Sequence, residues 1–175
     1  MKTIFIRDQL VIWSLAFSIL ACGSWFQETS FAGQIVFPQE TRLPLSIAQQ
    51  AAEKAIATCS RDGYHVSVAV VDRGGTLKAL LRADGAGPHT TDSSFKKAYT
   101  SASLGRSTKE LAVLLAKVPA LQGLRDMNNH ILILGGGLPI IIHNEIIGGI
   151  GVGGAPGDRF DEACARAGLG FIKTQ

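Results

Sequence analysis

The stretch GGGLPIIIHNEIIGGIGVGG, Gly135 to Gly154, admits two readings that lead to different folds. A phosphate-cradling loop needs a strand, then glycines, then a helix whose N-terminus faces the anion. Here Gly135–Gly137 run into Leu138, Pro139 and further apolar residues, and no Lys-Ser or Lys-Thr pair follows at P-loop spacing. GGIGVGG does hold G-x-G spacing ahead of a helix, but no βαβ unit precedes it. Short apolar runs split by glycine, proline and Asn-Glu fit strands joined by tight turns instead. The glycines then serve turns and close approach of backbone to a neighbour or ligand. Small residues on a strand also leave space for a cavity above it.

Working outward, HILIL (130–134), PIIIH (139–143) and IIGGIGVGG (146–154) predict an antiparallel meander of three strands. Upstream, HVSVAVVD (65–72) is rich in valine and predicts a buried strand. RGGT follows as a turn in which Gly74 and Gly75 can take positive φ, and LKALLR (77–82) is the returning strand. The first helix is predicted from Ser46 to Gly63, with Ser46 and Gln49 at capping-box spacing. Ile47, Ala51, Ala55, Ile56 and Cys59 give it one apolar face. A second helix, SFKKAYTSASLG, is capped by Asp92 or Ser93 and closes near Gly105. A third, KELAVLLAKV, is capped by Ser107 or Thr108 and stopped by Pro119. ALQGLRDMNN is read as irregular, and a last helix runs from about Asp158 to Gly168. Strands joined by tight turns are antiparallel. The expected class is α/β in the α+β sense: a five-stranded antiparallel sheet flanked by helices.

The chain has 175 residues, 46% hydrophobic and 18% charged, which favours a filled core over disorder. A net charge of +3 with scattered lysines and arginines gives no nucleic-acid signature. Lys2 and Arg7 precede an apolar stretch, Leu10 to Phe26, and then small residues, the order of a secretory signal. The expected division is a signal peptide at 1–32 cut near Ala32, an extended lead-in at 33–44, and the domain at 45–175. Secretion or a periplasmic location follows, with no membrane span in the mature form. A lipid anchor on Cys22 and an uncleaved anchor are the alternatives. Export permits a disulfide between Cys59 and Cys164. Their places on apolar helix faces favour buried thiols used as small hydrophobes.

No catalytic constellation emerges. A G-x-S-x-G elbow is absent, and His65, His89, His130 and His143 lack metal-ligand spacing to one another. His89 is the histidine best placed for a role, in a loop bounded by glycine and proline. Asp161 and Glu162 splay apart on a helix and read as solvated charges. Asp72 reads as a turn-stabilising carboxylate. Lys96 and Thr100 are one helical turn apart and can face one ligand, with Lys97 and Tyr99 beside them. The ordinary reading of the two lysines is surface solvation.

Several motifs together resemble the GlcG/HbpS-like, haem-degrading family. They are VAVVDRGG, KAYTSAS, GGGLP, IGGIGVGGA and DEACARAG, in this order, over Leu45 to about Ile172. The resemblance implies a profilin-like five-stranded sheet with flanking helices, and assembly as a homo-oligomer. It implies haem binding, with haem degradation or iron binding as further activities. Relatives encoded with glycolate or diol metabolism, and a related domain on corrinoid adenosyltransferases, imply the alternative: an accessory module for a small organic acid or a corrinoid-related ligand. Thr100 lies in the matching KAYT segment, where a hydroxyl ligand to iron has family precedent. His89 and Tyr99 are nearby chemical alternatives, since haem iron usually takes His, Cys, Met or Tyr. Lys96, Lys97 and Arg82 would meet the propionates. PHTTDSS, from Pro88, is more polar than the family pattern there.

Overall fold

A computed structural model describes residues 39–173. The predicted signal peptide, Cys22 and residues 33–38 of the lead-in lie outside the described residues. Residues 39–44 carry no regular secondary structure. The elements that follow are α1 (Leu45–Arg61), β1 (Ser67–Asp72), β2 (Leu77–Arg82), α2 (His89–Leu104), α3 (Thr108–Lys117), a 3₁₀ segment (Pro119–Asp126), β3 (Gly137–Ile142), β4 (Glu145–Gly153) and α4 (Asp158–Lys173).

The strands form one antiparallel sheet in the order β2-β1-β4-β3. Two hairpins thus lie side by side. Gly75 takes φ 78° in the first turn, and Asp72 braces it by accepting from Thr76 N at 3.0 Å. Gly74 does not need positive φ. The second turn is His143-Asn144, both with positive φ, the geometry whose twist matches a two-residue hairpin.

Alternation along the strands splits the core into two faces. Val68 and Val70 of β1, with Ile150 and Val152 of β4, pack under α1 and α4. Ala69 and Val71 face α2, packing on Ala98 and Ala102. The sheet is therefore sandwiched between α1 with α4 and α2.

Four sequence expectations need correction. The sheet has four strands, not five, because HILIL does not join it. Ile131 and Ile133 instead pack on Leu111 and Leu115 of α3. The backbone of this segment is held by side chains: Leu132 N donates to Thr100 Oγ1 at 2.8 Å and Arg125 Nη1 donates to Ile133 O at 3.2 Å. Alternating burial can thus be met by a helix as well as by a sheet.

The Ser46–Gln49 capping box does not form. Pro44 is the N-cap, its carbonyl already accepting from Ala48 N at 3.0 Å, so Ser46 sits inside the first turn. Likewise α2 starts at His89 behind Pro88, which places Asp92 in its first turn. Ser107 does cap α3, accepting from Glu110 N at 3.1 Å, and Gly105 ends α2 at φ 67°.

Cys59 and Cys164 are joined as a disulfide rather than held as thiols. Ala48, Ala51, Ala52 and Ala55 give α1 a surface of small residues, and a Cβ added at Gly168 would strike Ala51 O. That close packing of α1 on α4 brings the two cysteine Cα atoms to 5.6 Å, within bonding range.

Candidate functional site

The glycines of the opening stretch position the site. Gly149 and Gly151 of β4 face α2, and a Cβ on either would overlap the carbonyl of Ala98 or Ser94. Backbone therefore lies against backbone, and α2 sits low on β4. Toward the other edge of the sheet, β2 and the first turns of α2 leave a cleft. It measures about 600 Å³ and is lined by Leu77, Leu80, Pro88, Thr91, Asp92 and Phe95, with Gly75 and Thr76 at the hairpin end. Most of the lining is apolar. Leu77, 44% exposed, extends that apolar surface at the cleft mouth.

Phe95 continues into a ring cluster. Its centroid is 6.2 Å from Tyr99 and 5.5 Å from His130, and Tyr99 and His130 are 5.2 Å apart. Tyr99 lies against Gly75, where any side chain would collide with its ring. At the polar edge, Lys96 Nζ pairs with Asp92 Oδ2 at 3.0 Å.

The residues singled out in the sequence divide here. Lys96 flanks the cleft through Asp92, Tyr99 borders it through Phe95, and exposed His89 follows Pro88 of its wall. Arg82 is exposed, its guanidinium donating to Ala86 O through Nε at 3.0 Å and also through Nη2. Thr100 is fully buried. Its hydroxyl donates to Lys96 O at 2.7 Å and accepts from Leu132 N at 2.8 Å. Lys97, read as solvated, is 2% exposed and points away from Lys96. Its Nζ donates to Asp161 Oδ2 at 2.7 Å and to Val152 O at 3.0 Å.

Asp161 and Glu162, likewise read as solvated, are buried. Desolvation by burial pushes the Asp161 carboxyl above its ordinary value, outweighing the attraction of Lys97 and the bond from Ala155 N. Phe95, Thr91 and Leu80 escaped sequence reasoning. The Thr91–Phe95 and Asp92–Lys96 pairs at four-residue spacing were the available signal. Among the described residues no cluster of three metal-ligating side chains occurs, and no helix is long and apolar enough to cross a membrane.

Comparison with known proteins places the chain in company. Residues 43–170 match the family model described as "Haem degrading protein HbpS-like". A double mutant of HbpS from Streptomyces reticuli is 45% identical in its solved structure, with TM-score 0.72, covering 77% of this chain and 89% of that one. Klebsiella pneumoniae ORFY is 31% identical with TM-score 0.75, covering 81% and 98%. Escherichia coli K12 protein GlcG is 32% identical over 61% of this chain and 80% of its own length. PduOC, solved as a haem complex, shares the fold at 24% identity and TM-score 0.70.

Proposed function

This chain belongs to the HbpS-like family of haem-degrading proteins, and we propose that it binds haem in the cleft between β2 and α2. The observation that carries the reading is the apolar cleft of about 600 Å³ with a lysine at its rim. Haem is flat and mostly apolar, with two carboxylates on one edge. Leu77, Leu80 and Phe95 would cover its faces, and Lys96 would turn from Asp92 to a propionate. Arg82 is a second propionate partner. Lys97, locked to Asp161, is not used.

Of the candidate iron ligands, Thr100 has its hydroxyl committed on both sides, and Tyr99 is packed among Phe95, His130 and Gly75. His89, exposed at the start of α2, is the ligand in this proposal. Haem, when bound, supplies a redox-active iron tuned by that ligand. Titration of the purified chain with hemin is expected to give a saturable shift of the Soret band. His89→Ala should alter the band or weaken binding. An unshifted, unsaturable spectrum would reject the proposal. Loss of the bound spectrum with reductant and oxygen would extend binding to degradation.

We also propose export and homo-oligomeric assembly. The basic-then-apolar leader and the Cys59–Cys164 disulfide support the first, since disulfides persist in oxidising compartments. The resemblance carried by the sequence motifs supports the second. The mass of the mature protein separates a cut near Ala32 from a lipid on Cys22, and light scattering reads the assembly.

A further inference from the structure

A second concavity, of about 530 Å³, runs between α3 and α4. Its α3 side presents Arg106, Lys109, Glu110 and Lys117, and its α4 side Glu162 and Arg166. The cations outnumber the carboxylates, so the groove is positive. Arg106, Lys109 and Lys117 have no ion pair among the described residues. Lys109 and Lys117 are spread along α3 by about 12 Å at the helical rise.

Glu162 supplies the second observation. Its side chain is 9% exposed, whereas its partner Arg166 is 65% exposed. Oε1 accepts from Arg166, but Oε2 is buried and has no hydrogen-bond partner. A buried carboxylate oxygen without a donor carries its full desolvation cost. Arg166 already balances the charge through Oε1. What Oε2 lacks is therefore a neutral donor rather than a second cation.

We propose that this groove binds a small polyanion carrying its own hydroxyl, of the hydroxylated polycarboxylate class. The hydroxyl donates to Glu162 Oε2 once the exposed Arg166 shifts aside without leaving Oε1, and the carboxylates meet Lys109, Arg106 and Lys117. A monoanion leaves most of the cations unmatched. A polyanion without a hydroxyl leaves Oε2 unmatched. The groove is separate from the β2/α2 cleft, so this site stands whether or not haem binds there.

Citrate and propane-1,2,3-tricarboxylate differ by one hydroxyl and make the test. Calorimetric titration of the full chain should show citrate saturating near one site per chain. Its affinity should exceed that of the propane acid by roughly tenfold, as a hydrogen bond to a charged group provides. Lys109→Gln should weaken both acids by a similar factor. Glu162→Met should erase the preference for citrate while leaving electrostatic binding of both. No saturable heat from citrate up to about 10 mM overturns the proposal. So does equal affinity for the two acids, or a Lys109→Gln chain that binds both as the unmodified chain does. The comparison of the two acids needs no variant, so a substitution that fails to fold leaves the test intact.

Discussion

Lys97 and Asp161 show what a single buried pair does in this chain. They join α2 to α4 across 64 positions, and Asp161 also accepts from Ala155 N at 3.0 Å. Breaking such a pair from one side leaves an uncompensated charge, at a cost of about 3–5 kcal/mol. Lys97→Met should lower the unfolding free energy read from urea titration by that amount, and Lys97→Met with Asp161→Asn should recover much of it. If the double variant is no more stable than the single one, the ion pair is not the cause. The same carboxyl sets a pH dependence. Burial raises its native pKa above the ordinary 3.8, so the native state takes up a proton before the unfolded state does. Its contribution to stability is full below 3.8 and is lost as pH rises through the native value. The stability difference between the unmodified chain and Asp161→Asn should accordingly shift in favour of the unmodified chain as pH falls through that window. A difference flat with pH from neutrality to below 3.8 removes the assignment. None of this was legible locally. Lys97 stands beside exposed-looking Lys96, and its partner lies on another helix.

At the scale of elements, the glycine run was legible and its purpose was half legible. The absence of a P-loop lysine and the two-residue breaks sufficed to predict hairpins, and β1, β2, β3 and β4 follow them. The sequence also indicated close backbone approach, but not that the partner is α2. That assignment makes Gly151 a sharp test. A Cβ there meets Ser94 O and the backbone of Ala98, neither of which can rotate aside. Gly151→Ala should destabilise by about 1–3 kcal/mol, the usual cost of overpacking, and lift α2 from β4. Since α2 forms one wall of the cleft, hemin affinity should fall with it. An unchanged urea midpoint would show that the helix has room to move. HILIL misled because its alternation was satisfied on α3, with Thr100 and Arg125 replacing strand partners. The start of α2 misled because Pro88, which reads as loop, sits at the N-cap, where its missing N–H costs the helix no bond.

Across the whole molecule, the sheet separates two regions of different character. On the α1/α4 face, small residues and the Cys59–Cys164 bond hold the helices together. On the α2 face lie the cleft and its rings. The disulfide closes a loop with a sequence separation of 105, which contains every strand. Cross-linking a loop of that length restricts the unfolded chain strongly, and removing such a bond costs about 2–5 kcal/mol. Cys59→Ala with Cys164→Ala should therefore lower the unfolding free energy read from urea titration by that amount. It should leave the hemin spectrum intact, because neither cysteine borders the cleft. Peptide mapping without reductant should recover residues 59 and 164 in one linked fragment. Free thiols at both positions in protein isolated from its native compartment would contradict the bond and, with it, the strongest structural support for export. Loss of the hemin signal in a variant that still melts cooperatively would instead mean that the two faces are coupled through the sheet.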